Sequence, residues 1–360
     1  MAEAAVQFTP RDYSLVGLES DLAVERGLAN AEWYACDIPR KQMKELMRRR
    51  NGPAIRDTII WFGLLLITGV LGGVLWMAGS WWAVAAFAIY GVLYGSAADA
   101  RWHECGHRTA FKSIWMNDVV YEIASFMMLR DSLPWRWSHT RHHTDTIIVG
   151  RDPEIPAPRP PDILGIAMAF FVLKSGPASF KKMILHSFGR MYPEEATYVP
   201  ESEFPKVYRN ARIYLLIYVA VIATAIATKS LLPLMYIGLP SFYGAWFSIL
   251  CGLTQHLCLA EDVLDHRLNS RTVYMNPIAR FMYWEMNYHV EHHMFPMVPY
   301  YNLGKLHEAL KDDMPKPNSG FYDAYKEIIP ALLRQRKDPT YFVKRLLPDS
   351  APAFDTSKQG

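Results

Sequence analysis

Three short stretches concentrate side chains that bind metals: RWHECGHRTAF at 101–111, SHTRHHTD at 138–145 and NYHVEHHMFP at 287–296. They hold eight of the twelve histidines: His103 and His107, then His139, His142 and His143, then His289, His292 and His293. Residues three and four apart share one face of a helix, so each stretch aims its imidazoles at one point. A ninth, His256, stands at the end of a later uncharged segment, matching the place of His103 after an earlier one. One such cluster is compatible with chance; three on one face are hard to explain without metal. His186, His266 and His307 lie outside the clusters and read as structural, with His266 in DVLDHR as the substitute for His256.

The first stretch also satisfies HExxH, the zinc motif of metalloproteases, in which the glutamate activates water. The count speaks against that reading. A catalytic zinc takes three protein ligands, and the motif's own two histidines leave six clustered ones without a role. Nine imidazoles suit two ions of higher coordination number with room for an oxygen species. That set fits iron, although ligand type alone also admits copper or zinc. Glu104 is then a carboxylate that fixes an imidazole tautomer, or a solvated helix residue. Asp99, Asp145, Asp152 and Glu291 carry the same two alternatives. Trp135, Arg136 and Trp137, just before the second cluster, either line a pocket for an acidic substrate group or pack at the membrane interface.

The rest of the chain must position these residues. A net charge of +3 over 360 residues gives no case for nucleic acid. The four cysteines (Cys36, Cys105, Cys251 and Cys258) form no CxxC pair, which suits a reducing compartment. The opening MAEAAVQFTPRDYS has neither the basic start nor the apolar run of a signal peptide. No charged residue occurs from 58 to 98, and Gly79-Ser80 with Trp76, Trp81 and Trp82 breaks that run. Further uncharged stretches cover 213–228 and 230–256, and Pro233 and Pro240 are expected to tilt or kink the last. The pattern predicts an all-α integral membrane protein with four transmembrane helices in two hairpins, at about 58–78, 81–99, 212–228 and 231–252. A cytosolic helical cap carries the histidines.

Tight turns put all long segments on one side, and that side holds Arg48, Arg49, Arg50, Lys112, Arg209 and Arg212. The positive-inside rule makes it cytoplasmic, with both termini. Expected divisions are an N-terminal region over 1–56, a catalytic domain over 57–310 and a C-terminal tail over 311–360, polar and disordered from about 349. Residues 163–173 are too short to span and read as an interfacial or cap-packed helix, and 153–161 (PEIPAPRPP) as a proline-rich linker.

HxxxH, HxxHH and HxxHH between two hairpins, ending in NYHVEHHMFPMVPYYNL, resemble the membrane fatty acid desaturase superfamily over roughly 50–310. HECGHRTAF and DHRLNSRTVYMNP look closest to the bacterial subgroup containing dihydrorhizobitoxine desaturase, which includes enzymes acting on small polar molecules. The resemblance implies a non-haem diiron centre held by His103, His107, His139, His142, His143, His289, His292 and His293, with His256 as the counterpart of an extra histidine in acyl-CoA desaturases. Those relatives place an asparagine one turn before it, where this chain has Gly252.

The expected activity is desaturation of an acyl chain or related aliphatic substrate, using dioxygen and two external electrons. The alternatives are a diiron hydroxylase of a small polar or terminal-methyl substrate and, remotely, an intramembrane zinc protease or an idle metal-binding membrane protein. Removing hydrogen from a methylene needs a redox metal, because side chains supply no such oxidant. No dinucleotide fingerprint, haem site or cysteine cluster is present, so electrons are expected from a separate ferredoxin-like carrier with its reductase. Arg48–Arg50 either dock it or anchor the membrane face. The expected location is a bacterial inner membrane, with the site facing the cytoplasm.

Overall fold

The computed structural model describes residues 11–351, and these are helical apart from loops and two isolated bridges, Thr272 with Tyr288 and Val273 with Asn318. The N-terminal and C-terminal ends discussed above, 1–10 and 352–360, lie outside the described residues. Helix α1 (Asn51–Met77) and helix α2 (Trp82–Gly95) form a hairpin around Gly79. Their outer faces expose Ile59, Leu66, Ile67, Val70 and Val84, which water would not tolerate in such density. Trp81 and Trp82 stand exposed at the turn, the place where indoles meet a membrane surface.

After one break at Ser96, helix α3 (Ala97–Gly106) continues α2 and buries Ala97 to Cys105 almost without exception. Helix α4 (Ile114–Met127) packs on α3, and helix α5 (Ser132–Thr144) follows it. Helix α6 (Ser175–Ser187) lies along helix α7 (Phe204–Thr228), which ends in a left-handed Lys229. Among the described residues, three helices are long and apolar enough to cross a membrane: Arg40–Met77, Trp82–Gly106 and Glu201–Thr228.

The expected fourth span is not one helix. It divides into Leu232–Tyr236, Pro240–Tyr243 and helix α8 (Trp246–His256). Pro233 and Pro240 each stand in the first turn of a new short helix, where a missing N–H leaves no helical bond unmade. Gly238 takes φ +100° between them. At Gly244 a Cβ would meet the Gly91 carbonyl oxygen, so this segment crosses α2 backbone to backbone. The kinks expected there are complete breaks.

Helix α9 (His289–Met294) is followed by helix α10 (Tyr300–Leu310) and helix α11 (Phe321–Gln335). Ala324, Ile328 and Ala331 form the buried face of α11, and Tyr325 Oη donates to the Leu250 carbonyl of α8 at 2.7 Å. Residues 163–173 begin with a short helix, Ile163–Ala169, that buries none of its side chains. The proline-rich 153–161 stretch is pinned at Arg159, whose Nε sits 3.0 Å from Glu261 and whose other nitrogen bonds the Leu259 carbonyl. All four cysteines are buried and free.

Candidate metal centre

Arg101 shows how α3 is held in place. Fully buried, it donates to the carbonyls of Ala97 (3.0 Å), Met282 (2.6 Å) and Phe281 (3.1 Å). Its guanidinium lies 4.8 Å from the Trp284 ring centre and 5.3 Å from that of Trp61. A buried cation is costly unless hydrogen-bonded, and these three carbonyls meet most of that demand, only Nε having no partner among the described residues. Meeting that demand ties the first histidine helix to the segment leading into the third. On the other side, the buried His186 of α6 donates through Nδ1 to Asp131 (2.7 Å), the residue capping α5, and its Nε2 lies 2.9 Å from Glu195. Burial opposes a charge on His186, but the two carboxylates outweigh it and raise it to about 9.

With these helices fixed, nine imidazoles fall into two groups. His103, His107, His139, His143 and His292 form one; His142, His256, His289 and His293 form the other; within each, the ligand atoms lie within 4.8 Å of one another. The groups do not follow the stretches of sequence. Neighbouring His142 and His143 join different groups, as do His292 and His293. Each group draws on three helices: α3, α5 and α9 for the first, α5, α8 and α9 for the second.

The outer ring nitrogens show which way the imidazoles face. His139 Nδ1 donates to Glu154 at 3.0 Å, His142 Nδ1 to Asp152 at 2.8 Å, and His256 Nδ1 to the Asn269 carbonyl at 2.8 Å. The Thr146 hydroxyl donates to the His142 carbonyl, so its oxygen accepts from His293 Nδ1 at 3.2 Å. A proton held on Nδ1 leaves a bare lone pair on Nε2. Those Nε2 atoms converge: His139 is 3.1 Å from His107 and 3.2 Å from His143, and His289 is 2.9 Å from His256 and 3.0 Å from His293. His103 is buried with neither ring nitrogen bonded to any described residue. Leaving such groups unsatisfied costs about 1–3 kcal/mol each. Cations between the rings would satisfy them, so the donor set fits metal. Burial first, then the neighbouring rings, hold His107, His143, His292 and His293 well below the usual histidine range, neutral as ligands must be.

The carboxylates divide unequally. Asp152 bonds His142, and it also accepts from the Ile147 N–H at 2.7 Å. Glu154 does the same for His139 and accepts from the Ser138 hydroxyl at 2.8 Å. Burial alone would raise the Glu154 carboxyl, yet His139 brings it down to about 2. Glu154 escaped sequence reading because its prolines suggested a spacer; a glutamate two residues beyond Asp152 was the available signal. Asn269 and Thr146, which steady His256 and His293 through a carbonyl and a hydroxyl, had none.

The other acids are engaged away from the nine rings. Asp99 pairs with Arg130 (2.7 Å), and Asp145 pairs with Arg141 and Arg151. Glu104 accepts from Thr109 (2.6 Å) and the Tyr300 N–H (3.1 Å), so it anchors α10 instead of facing an imidazole. Glu291 bonds Thr272 and His307, both at 2.5 Å. His266 belongs to neither group and stacks on Trp33, centroids 4.3 Å apart and 5° from parallel.

One cavity of about 230 Å³ touches both groups, through His103 and His139 on one side and His142, His256 and His289 on the other. Trp135 lines it, whereas Arg136 lies over Tyr121 and bonds Asp118 (3.2 Å), and Trp137 is not among its walls. Gly252 also lines it, and a Cβ there would meet nothing within 4 Å. Position 252 therefore opens onto free space.

Comparison with known proteins agrees with this geometry. The family model described as fatty acid desaturase matches residues 79–325. The chain is 28% identical to an omega-6 fatty acid desaturase, endoplasmic reticulum isozyme 1, of Glycine max, over 64% of this chain and 66% of that protein. It is 26% identical to an acyl-lipid (9+3)-(E)-desaturase of Dimorphotheca sinuata, over 63% and 67%. A delta(12) acyl-lipid conjugase (11E,13E-forming) of Impatiens balsamina is 24% identical over 64% and 65%. The chain thus spans about two thirds of the length of the curated relatives it matches.

Proposed function

The chain belongs to the fatty acid desaturase family, and from that premise we propose that it is a membrane-bound non-haem diiron oxidoreductase. It desaturates an acyl chain or related aliphatic substrate. The observation that carries the reading is the partition of nine imidazoles into groups of five and four around one cavity. The balance is R–CH2–CH2–R plus dioxygen, two electrons and two protons, giving R–CH=CH–R and two waters. The electrons come from an external ferredoxin-like carrier with its reductase. The broken segment completes a second membrane hairpin, and the histidine face lies on the cytoplasmic side of a bacterial inner membrane.

Bound iron would supply the oxidising strength that no side chain has. The protein's part is to hold and orient. The nine imidazoles present lone pairs without bringing negative charge to the site. Glu154, Asp152, the Asn269 carbonyl and Thr146 lock four of them in the ligating tautomer. Glu104 stays bonded to Thr109 and Tyr300, which leaves the HECGH motif without a water-activating base at the imidazoles.

Hydroxylation is the second reading, since the same hydrogen removal precedes it: R–H plus dioxygen, two electrons and two protons gives R–OH and water. Asp99, Arg130 and Gln255 among the residues lining the cavity suit the polar substrate of that reading. Anaerobic loading with ferrous iron, followed by metal analysis, tests the common core. About two irons per chain with dioxygen-dependent product is expected; about one zinc and no dioxygen use would sink the oxidase.

A further inference from the structure

Each histidine group packs against one aromatic ring that belongs to neither group, and the two rings lead to different places. For the group of five it is Trp102, whose ring centre lies 5.3 Å from that of His139. For the group of four it is His266, 5.2 Å from His293. His266 in turn stacks on Trp33, 4.3 Å away and 5° from parallel. Among the described residues no other outside ring packs on the four imidazoles. His293, His266 and Trp33 therefore form one file of rings running outward.

The two indoles differ in everything that governs the loss of an electron. Trp102 is 3% exposed, its Nε1 has no acceptor among the described residues, and the Arg130 guanidinium lies 4.1 Å from its ring centre. A cation so close opposes positive charge on the ring. Trp33 is half-buried, so reductants in the surrounding water come within reach of it. Its Nε1 donates to the Thr144 carbonyl at 3.1 Å, and no described guanidinium lies over its ring. Thr144 ends α5, where unpaired carbonyls favour positive charge. Indole loses an electron far more easily than imidazole does. Oxidising strength left at the group of four is thus drawn through His266 to Trp33 and away from the ligands.

We propose that His266 and Trp33 form an escape route for oxidising equivalents, with Trp33 as the residue oxidised when no substrate is bound. The assignment rests on the oxidase reading of the site. With substrate present, dioxygen takes two electrons from the carrier and two from the substrate, and the route is idle. Without substrate, the second pair leaves Trp33 one electron at a time, and the ferredoxin-like carrier refills the indole after each. The balance is O2 plus four electrons and four protons giving two waters, with every electron from the carrier. Turnover on substrate does not depend on this route; survival of the ligands between substrates does.

The test loads the full chain in lipid nanodiscs with ferrous iron, removes the excess, and admits dioxygen without carrier or substrate. Freeze-quench EPR reads the indole radical, peptide mass spectrometry locates oxidised residues, and an electrode follows dioxygen. The wild type should show a tryptophan radical and oxygen added at Trp33. Trp33→Phe, which keeps a ring in the stack, should lose that radical and carry several-fold more oxidation on His142 and His293. His266→Gln, which breaks the file and leaves Trp33 in place, should lose the Trp33 product, and it decides the matter if Trp33→Phe does not fold. Dioxygen use with Trp33 unmodified would overturn the route alone, as would equal modification of Trp33 in wild type and His266→Gln. No dioxygen use by the iron-loaded protein would overturn the route together with the oxidase.

Discussion

Glu154 Oε2 lies 3.0 Å from His139 Nδ1, and the same carboxylate accepts from the Ser138 hydroxyl of the preceding residue. The His139 ring is therefore clamped from behind while its Nε2 faces the first histidine group. Losing such a carboxylate typically lowers metal affinity about 10–100-fold. Glu154→Gln should show that loss in competition with a chelator while keeping its fold by circular dichroism. Unaltered metal retention in Glu154→Gln would remove this clamp from the site.

His256 and His266 exchange roles in a direct comparison. His256 Nε2 is 2.9 Å from His289 Nε2, while His266 stacks on Trp33 and joins neither group. His256→Gln should reduce bound iron and abolish turnover with little change in melting temperature. His266→Gln should keep both and lose about 1 kcal/mol of stability with its aromatic partner. The reverse pattern would move the ninth ligand to His266.

The clamp of His186 between Asp131 and Glu195, beside Lys182, gives the fold a basic limit. Raised from 6.5 to about 9, this imidazolium contributes stability that is complete below about 6.5 and disappears as pH rises through about 9. Melting temperature measured from pH 6 to 10 should fall along the upper limb, and His186→Gln should flatten that fall. An equal decline in both proteins would assign it to other groups.

Topology is tested by cysteines at Ala78, in the turn between α1 and α2, and at Lys337, just past α11; both sites are exposed and the native cysteines are buried. Impermeant maleimide should label Ala78→Cys and Lys337→Cys from opposite sides of the membrane. Labelling from one side only breaks the two-hairpin arrangement.

Periodicity and residue type determined much of this protein without its structure. Imidazoles three and four apart share a helix face wherever that helix lies, and an uncharged run of membrane length has few alternatives to a span. The same local logic foresaw trouble at Pro233 and Pro240. It did not foresee how far the break would go, because that depends on Gly244 meeting the Gly91 carbonyl of another helix. The division of labour among the histidines was likewise invisible. Adjacent His142 and His143 point about a third of a helical turn apart, so which group each joins depends on where α3, α8 and α9 stand around α5. Glu104 and Glu154 make the same point in opposite directions. The first sits inside a histidine motif and bonds elsewhere; the second sits among prolines and clamps a ring. Hydrogen bonds depend on distance in space, and chain spacing determines that distance only within one element.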